Sequence, residues 1–413
     1  MAVIFYPARQ IAAAVESSEG TQYAAASMAV ADLIQTLDPQ IQLTPNRFER
    51  NLARRGFGMV PSHYAKGTAR LTFGVELAGN TDNASALTNA PNWGKLMEAC
   101  GSVQKEVGSL GTGAITGGPI QHGETITAGA TAIALGYTYT GESVISVEKA
   151  GSALTAGAAT TSVSSSTFTI ATLLGNVLSG YAWHPRSVEG SNKTLTFHLN
   201  ISGQRFQVYG ARGTCSFAFN VHDRVIANFT FDGIFDEVDA SAALSETGST
   251  AFKAMTPPAF VAAASTLTPR AADGSFGTAI SGADLCWDSA TFDLGVSTVM
   301  RKCANGTDGY IAAVITGRAP TFSFNPDDPG VASYAYIQKL MDGTQARGYL
   351  QWGSALGNRF LLKLPHLQAQ TTTIGERDTR MNQAITYDAT LGSFEGAADR
   401  SVGFDNEWLL INY

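Results

Sequence analysis

Apolar and polar positions alternate with period two along much of the chain, the pattern of half-buried strands. In Ala69–Leu77 the odd positions are mostly apolar and the even ones small or polar. Leu195, Phe197, Leu199 and Ile201 alternate with Thr196, His198 and Asn200, and Cys215, Phe217, Phe219 and Val221 repeat the pattern, as do Ala227, Phe229 and Phe231. Further strands are predicted at Tyr310–Ile315, Phe322–Phe324, Arg359–Leu364 and Met381–Tyr387, with Gly, Asn and Asp at the turns between them. Helical spacing is rare. Trp93, Leu96, Met97 and Cys100 fall on one face after Pro91; Ile337, Leu340 and Met341 do so after Asp328-Pro329, read as cap and first position. Ala24–Leu37 is a third, poorly capped helix candidate. The expected fold is mainly β with a few short helices, their apolar faces packed in cores.

Those elements recur in order. The tetrapeptides Lys95-Leu96-Met97-Glu98 and Lys339-Leu340-Met341-Asp342 lie 244 positions apart, and Thr72-Phe73 precedes Thr321-Phe322 by 249. After the helices, Arg224–Asp232 matches Arg380–Asp388 at an offset of 156. Strand, helix and strand therefore repeat at a length far above solenoid periods, which implies two duplicated domains. The difference of offsets puts about 88 additional residues into the first copy. They fall in the charge-poor segment Gly108–Tyr181, where Ser143–Val147 and Thr167–Ile170 read as short strands of a β-decoration. The expected organisation is an N-terminal arm at 1–35, a first domain at 36–107 and 182–245, an insertion at 108–181, a linker at 246–258 and a second domain at 259–413.

Composition removes several functions. A net charge of −7 argues against a protein that grips nucleic acid by neutralising phosphates. No apolar run reaches the ~18 residues of a membrane-spanning helix. The start of the chain has no secretory pattern, so a cytosolic origin is expected. Cys100, Cys215, Cys286 and Cys303 share no C-x-x-C spacing and read as reduced thiols. No zinc-protease, nucleophile-elbow or Walker motif is present; Gly111-Thr112-Gly113 lacks the Lys-Ser/Thr of a phosphate loop. Asp236-Glu237-Val238-Asp239 offers oxygens to a cation but lacks a glycine-turned ligand loop, and so reads as a solvated face or a set of salt-bridge acids; His198, on the polar phase of its strand, reads as a surface or interface group. Neither an enzyme nor a cofactor is expected.

The run from Ile11-Ala12-Ala13-Ala14-Val15-Glu16 to Arg47-Phe48-Glu49-Arg50 resembles siphophage major tail tube proteins. So do Gly67–Gly79, Ala90-Pro91-Asn92-Trp93 with Leu96–Gly101, and Gly210-Ala211-Arg212-Gly213 leading into Phe229–Gly233. In the second copy Ala290–Gly295 and Gly317-Arg318-Ala319-Pro320 fit as well. The likeness lies in the order of diffuse motifs and excludes the insertion. It implies two tandem tube-type β-sandwich or barrel domains, each flanked by a helix, in a virion protein that polymerises into stacked rings. The rings are trimeric with pseudo-sixfold symmetry, or hexameric with the second copy outside, and DNA passes through them without specific binding. Further implied partners are tape-measure, tail terminator and distal tail proteins. The implied location is the virion tail, assembled in the bacterial cytoplasm without membrane insertion.

The family's loop between early strands falls at about Glu49–Lys66, making Arg50, Arg54, Arg55, Phe57 and Tyr64 the candidate inter-subunit and inter-ring contacts. Joint replacement of Arg54 and Arg55 by glutamate is expected to block polymerisation. The corresponding loop of the second copy, Arg301–Gly309, is shorter, and Met1–Gln22 is expected to reach across a neighbour. Trp93, Leu96, Met97, Ile337, Leu340 and Met341 are the flanking-helix packing residues. The alternatives are an outer-membrane β-barrel porin and an extracellular β-sandwich adhesin.

Overall fold

A computed structural model describes residues 9–24, 27–50, 61–79, 90–112, 115–116, 120, 122–136, 144–148, 157–162, 165–173, 180–187, 192–240, 244, 256–261, 264–269, 279–306, 308–355, 357–391 and 405–413. The protein is mainly β, with two short α-helices among these residues. The chain begins with β1 (Arg9–Val15), β2 (Leu33–Ile34), β3 (Leu37–Phe48), β4 (His63–Glu76), α1 (Gly94–Ala99) and β5 (Ser102–Thr112). The insertion supplies β6 (Thr125–Ala128), β7 (Ala130–Ile133), β8 (Val144–Glu148), β9 (Gly157–Thr161) and β10 (Thr167–Leu173). The first half ends with β11 (Gly180–Pro185), β12 (Leu195–Ile201), β13 (Gln204–Asn220) and β14 (Ile226–Ala240). The second half opens with β15 (Ala264–Pro269), β16 (Ile280–Ser281), β17 (Ser289–Asp293), β18 (Val296–Lys302), β19 (Tyr310–Arg318) and β20 (Thr321–Phe324). It closes with α2 (Tyr336–Met341), β21 (Gln345–Trp352), β22 (Phe360–Arg377), β23 (Arg380–Ala389) and β24 (Leu409–Asn412).

Each half builds the same four-strand order. In the first, β3 pairs with β4, β4 with β14 and β14 with β13. In the second, a hairpin of β17–β18 against β19–β20 pairs through β20 with β23, and β23 pairs with β22. The repeated dipeptides occupy matching places in the two halves. Phe73 lies opposite Phe229 and Phe322 opposite Tyr387, whereas the sequence offset would bring Ile385 there. The slip is two residues, so every side chain keeps its face.

The long strands change partners along their length. The first part of β13 pairs with β12, and β1 and β2 continue that outer sheet. The first part of β22 pairs with β21 and β24, and the sheet runs on through β11 to β5 and through β15 to β16. Gly213 lies at the turnover in β13: a Cβ there would sit 2.0 Å from the Thr230 carbonyl oxygen. Gly295, at φ +56°, kinks the second hairpin between β17 and β18, and its Cβ would meet the Ala319 oxygen at 2.1 Å. Between inner and outer layers lies one core containing Phe73, Trp93, Trp183, Phe197, Phe219, Trp352 and Phe360.

The insertion closes on itself. The distal part of β5 pairs with β8 and β10, then β10 with β9, β9 with β6 and β6 with β7; Ala134, just past β7, bridges back to Val147 on β8. This six-strand ring of pairings encloses a separate core of Ile115, Ile120, Ile126, Ile145, Phe168 and Ile170 among others.

Four local expectations need correction. Ala24–Leu37 is not a helix: among its described residues it forms a short 3-10 turn at Val30–Asp32 and then β2. From Arg9 onward the N-terminal segment is no arm, because β1 is paired with β12 along its whole length. Asp328-Pro329 does not open α2, whose N-cap is Ala335. His198 is buried, since residues 16–24 and 27–33 fold back over the polar side of β12; Tyr23 N–H donates to Thr196 Oγ1, and Met28 and Leu33 pack with Ala12 and Ala14.

His184, fully enclosed between β5 and β24, is held neutral: burial lowers its imidazole to about 4 against the hydrogen bond to the Pro185 carbonyl. The unfolded value is ~6.5, so the neutral ring's contribution is present above that pH and is lost as pH falls towards 4. The expected loss is on the order of 3 kcal/mol by pH 4. Urea unfolding between pH 7 and 4.5 checks it, and His184→Gln is expected to flatten the slope.

Candidate assembly surface

The two halves join edge to edge. Residues Ser216–Asn220 of β13 pair with Asp293–Ser289 of β17. One row then crosses the inner sheet without interruption: Val75, Ala227, Phe217, Phe292, Phe322 and Tyr387 are successive partners. All six are buried, and the Phe217 and Phe292 rings stack across the seam with centroids 6.0 Å apart. Beyond the paired segment, Leu294 N–H donates to the Cys215 carbonyl at 3.0 Å and Val296 N–H to Thr214 Oγ1 at 3.1 Å. The strands run in the order β3, β4, β14, β13, β17, β20, β23, β22, counting the kinked hairpin strands by their sheet portions.

A second contact ties the halves. The β18–β19 hairpin lies against β13 and β14, where Tyr310 and Met300 pack on Tyr209 and Ile234. At its tip Asp308 accepts from Tyr209 Oη at 2.6 Å and pairs with Lys66 at 3.0 Å, while Lys66 also donates to Asp236 at 2.8 Å. The Asp236 bond raises the Lys66 ammonium above its ordinary value. Burial pushes the Asp236 carboxyl up, and hydrogen bonds from Lys66 and Gln22 outweigh it, leaving the group below its usual range. Arg212, itself buried, donates to the Ala313 carbonyl and pairs with Glu19.

Alternation gives the inner sheet two unlike faces. Leu71, Phe73, Phe229, Phe231, Phe217 and Phe292 point into the core. The opposite face carries Arg70, Thr72, Thr230, Asp232, Ser216, Thr291, Asp293, Thr321, Ser323 and Asp388, half-buried or exposed. It is a hydroxyl-rich surface, and Arg70 and Asp232 on it form a two-pronged ion pair.

Both ends of the sheet are open among the described residues: β3 pairs only with β4, and Thr371–Arg377 of β22 only with β23. Large apolar side chains stand exposed at these ends. Leu43, Phe48 and Tyr64 flank one, Ile374 and Met381 the other. By register, Ile374 occupies the place in its half that Phe219 occupies in the first. Phe219 is buried beneath Phe260 and Trp352 of the second half, whereas Ile374 is 57% exposed.

Of the residues singled out from sequence, Arg50 and Tyr64 are exposed at the open β3–β4 end. Arg54, Arg55 and Phe57 lie outside the described residues. Trp93, Leu96 and Met97 are buried, with Trp93 Nε1–H donating to the Ala78 carbonyl at 2.9 Å and its ring 4.4 Å from Trp183. The matching face of α2 is not packed: Ile337 and Met341 are exposed and Leu340 half-buried, and Tyr336 is the residue of that helix that enters the core. Sequence reasoning missed the Phe217–Phe292 seam and Ile374. Their alternation was readable, but nothing local says which edge a strand will meet.

The acid run is consumed by pairing: Asp236 meets Lys66, Asp239 meets Arg205, and Glu237 accepts from Gln207. Among the described residues no group of three His, Cys, Asp or Glu is arranged to hold a metal ion, and no helix is long and apolar enough to cross a membrane. Comparison with family models and with curated proteins finds no match for this chain.

Proposed function

We propose that the protein is the subunit of a hollow tube of stacked rings, a tail-tube-type structural protein whose lumen carries double-stranded DNA. The observation that carries this reading is the β13–β17 seam. It joins the trailing edge of one four-strand unit to the leading edge of the next, and the same two edges are open at the two ends of the sheet among the described residues. An open edge exposes unpaired backbone groups and invites further pairing. Repeating the seam from β22 of one chain to β3 of a second copy, and so around a ring, satisfies those groups and covers Ile374 as Phe219 is covered.

A threefold ring is the arrangement favoured over a hexamer with the second copy outside, because three chains then supply the six units that the resemblance implies. Roughly 24 strands at ~4.8 Å spacing give a backbone circumference of at least ~115 Å and a diameter near ~37 Å, which strand tilt widens. The hydroxyl-rich face lines that opening and the apolar face stays against each chain's own outer layer. That arrangement leaves no lipid-facing apolar band on the inner sheet, which favours the tube over a porin. On this face Arg70 and Arg224 are each paired with a carboxylate, which favours a duplex with one charge per ~1.7 Å sliding rather than sticking. The implied enclosing partners are copies of the same chain, with tape-measure, terminator and distal tail proteins at the tube's interior and ends.

Negative-stain microscopy of the detergent-free protein tests the reading. Hollow cylinders of stacked rings are expected. Detergent-dependent trimers support the porin instead, and monodisperse monomers that bind a glycan support the adhesin.

A further inference from the structure

Arg70 stands on the hydroxyl-rich face, one strand in from the open β3 edge, and its side chain is 55% exposed. Its Nε and Nη2 donate to the two oxygens of Asp232 at 2.8 and 3.1 Å, the fork geometry that also suits a phosphate. Asp232 is itself anchored, since Thr298 Oγ1 at the start of the second hairpin donates to its Oδ2 at 3.1 Å. On the same face Arg224 reaches Glu76 at 2.8 Å. Exposed ion pairs of this kind add little stability. What they do change is the availability of the guanidinium: in Arg70 the Nε–Nη2 fork is engaged and the positive charge is offset by a carboxylate.

We propose that Asp232, and secondarily Glu76, act as phosphate guards: they offset the charge of the arginines of this face and engage part of their donors, so that a passing nucleic-acid backbone finds no uncompensated guanidinium to hold it. The assignment rests on the tube reading for the identity of the passing polyanion. The guard itself is a property of the single chain. Neutralising Asp232 leaves an exposed guanidinium among hydroxyls, and a charge-assisted hydrogen bond contributes enough to tighten phosphate binding about tenfold.

The test compares the wild-type chain with Asp232→Asn and with Asp232→Asn combined with Arg70→Gln, measuring binding to a labelled DNA duplex across a salt series. Wild type is expected to show no saturable binding at moderate salt. Asp232→Asn is expected to bind at least about tenfold more tightly, with affinity falling as salt rises, and the double variant is expected to return to the wild-type level. Equal behaviour of Asp232→Asn and wild type overturns the proposal. So does binding retained by the double variant, because the gain then comes from net charge and not from Arg70. Circular dichroism confirms that each variant is folded. Tube formation is scored separately by microscopy: wild type that forms no tubes defeats the tube reading, while the duplex titration still decides the guard.

Discussion

Ending the chain after Trp408 is expected to prevent folding of both halves, although it removes only five residues. The lost strand β24 lies between β11 of the first half and β22 of the second and pairs with both. Leu409, Leu410 and Ile411 are each 2% exposed, and fully burying such a side chain contributes ~1.5–3 kcal/mol. Asn412 adds hydrogen bonds to the Gly357 and Arg359 carbonyls. Loss of three such side chains with their backbone partners approaches the ~5–15 kcal/mol stability of a whole domain. Leu410→Ala is the graded version, with an expected cost of ~2–5 kcal/mol in urea unfolding. Near-wild-type unfolding of the truncated chain would mean that β24 is not the link between the two halves.

The second large effect concerns assembly and leaves the fold intact. Ile374→Lys is expected to abolish tube formation while shifting the monomer's stability by less than ~0.5 kcal/mol, because the side chain is already largely exposed in the single chain. An inward-pointing charge on an edge strand is a known means of blocking edge pairing. In the repeated seam the ammonium would occupy the place that Phe219 fills, beneath aromatic rings. Sedimentation and microscopy read the assembly, and thermal unfolding reads the fold. Tubes of wild-type length from folded Ile374→Lys protein would remove β22 from the interface.

The strand-rich character was legible because Phe73, Phe197, Phe217, Phe229 and Phe322 alternate with small polar residues, and period-two alternation reports burial of one face. The likeness in strand order between the two halves follows the strand, helix and strand that recur along the sequence, although one core spans both halves. What failed to show was whatever depends on a distant partner. His198 sits on an outwardly polar phase, yet the segment holding Tyr23, Met28 and Leu33 covers that side of its strand. Ile337, Leu340 and Met341 have helical spacing, yet the core takes Tyr336 instead. Charge pairing between distant positions, Arg70 with Asp232 and Lys66 with Asp236, follows from register, which alternation alone does not determine. The seam is the clearest case: Cys215–Val221 shows its alternation, while Ala290–Gly295 stands out only through the family resemblance, and their adjacency is a property of the tertiary fold.

The central claim is that the β13–β17 seam recurs between chains, and an engineered cross-link tests it most directly. Ser216 faces Asp293 across the seam, and by register Thr371 and Gln40 hold the corresponding positions on the open edges. Directly opposed strand residues lie ~4.5–5.5 Å apart at Cα, within reach of a disulfide. Protein carrying Thr371→Cys and Gln40→Cys, with Cys286 and Cys303 replaced by serine, is oxidised under conditions of assembly and run on a non-reducing denaturing gel. The account predicts a ladder of dimer and trimer that ends in a closed trimer. A ladder reaching six chains, or no cross-link between chains that have assembled, would contradict it.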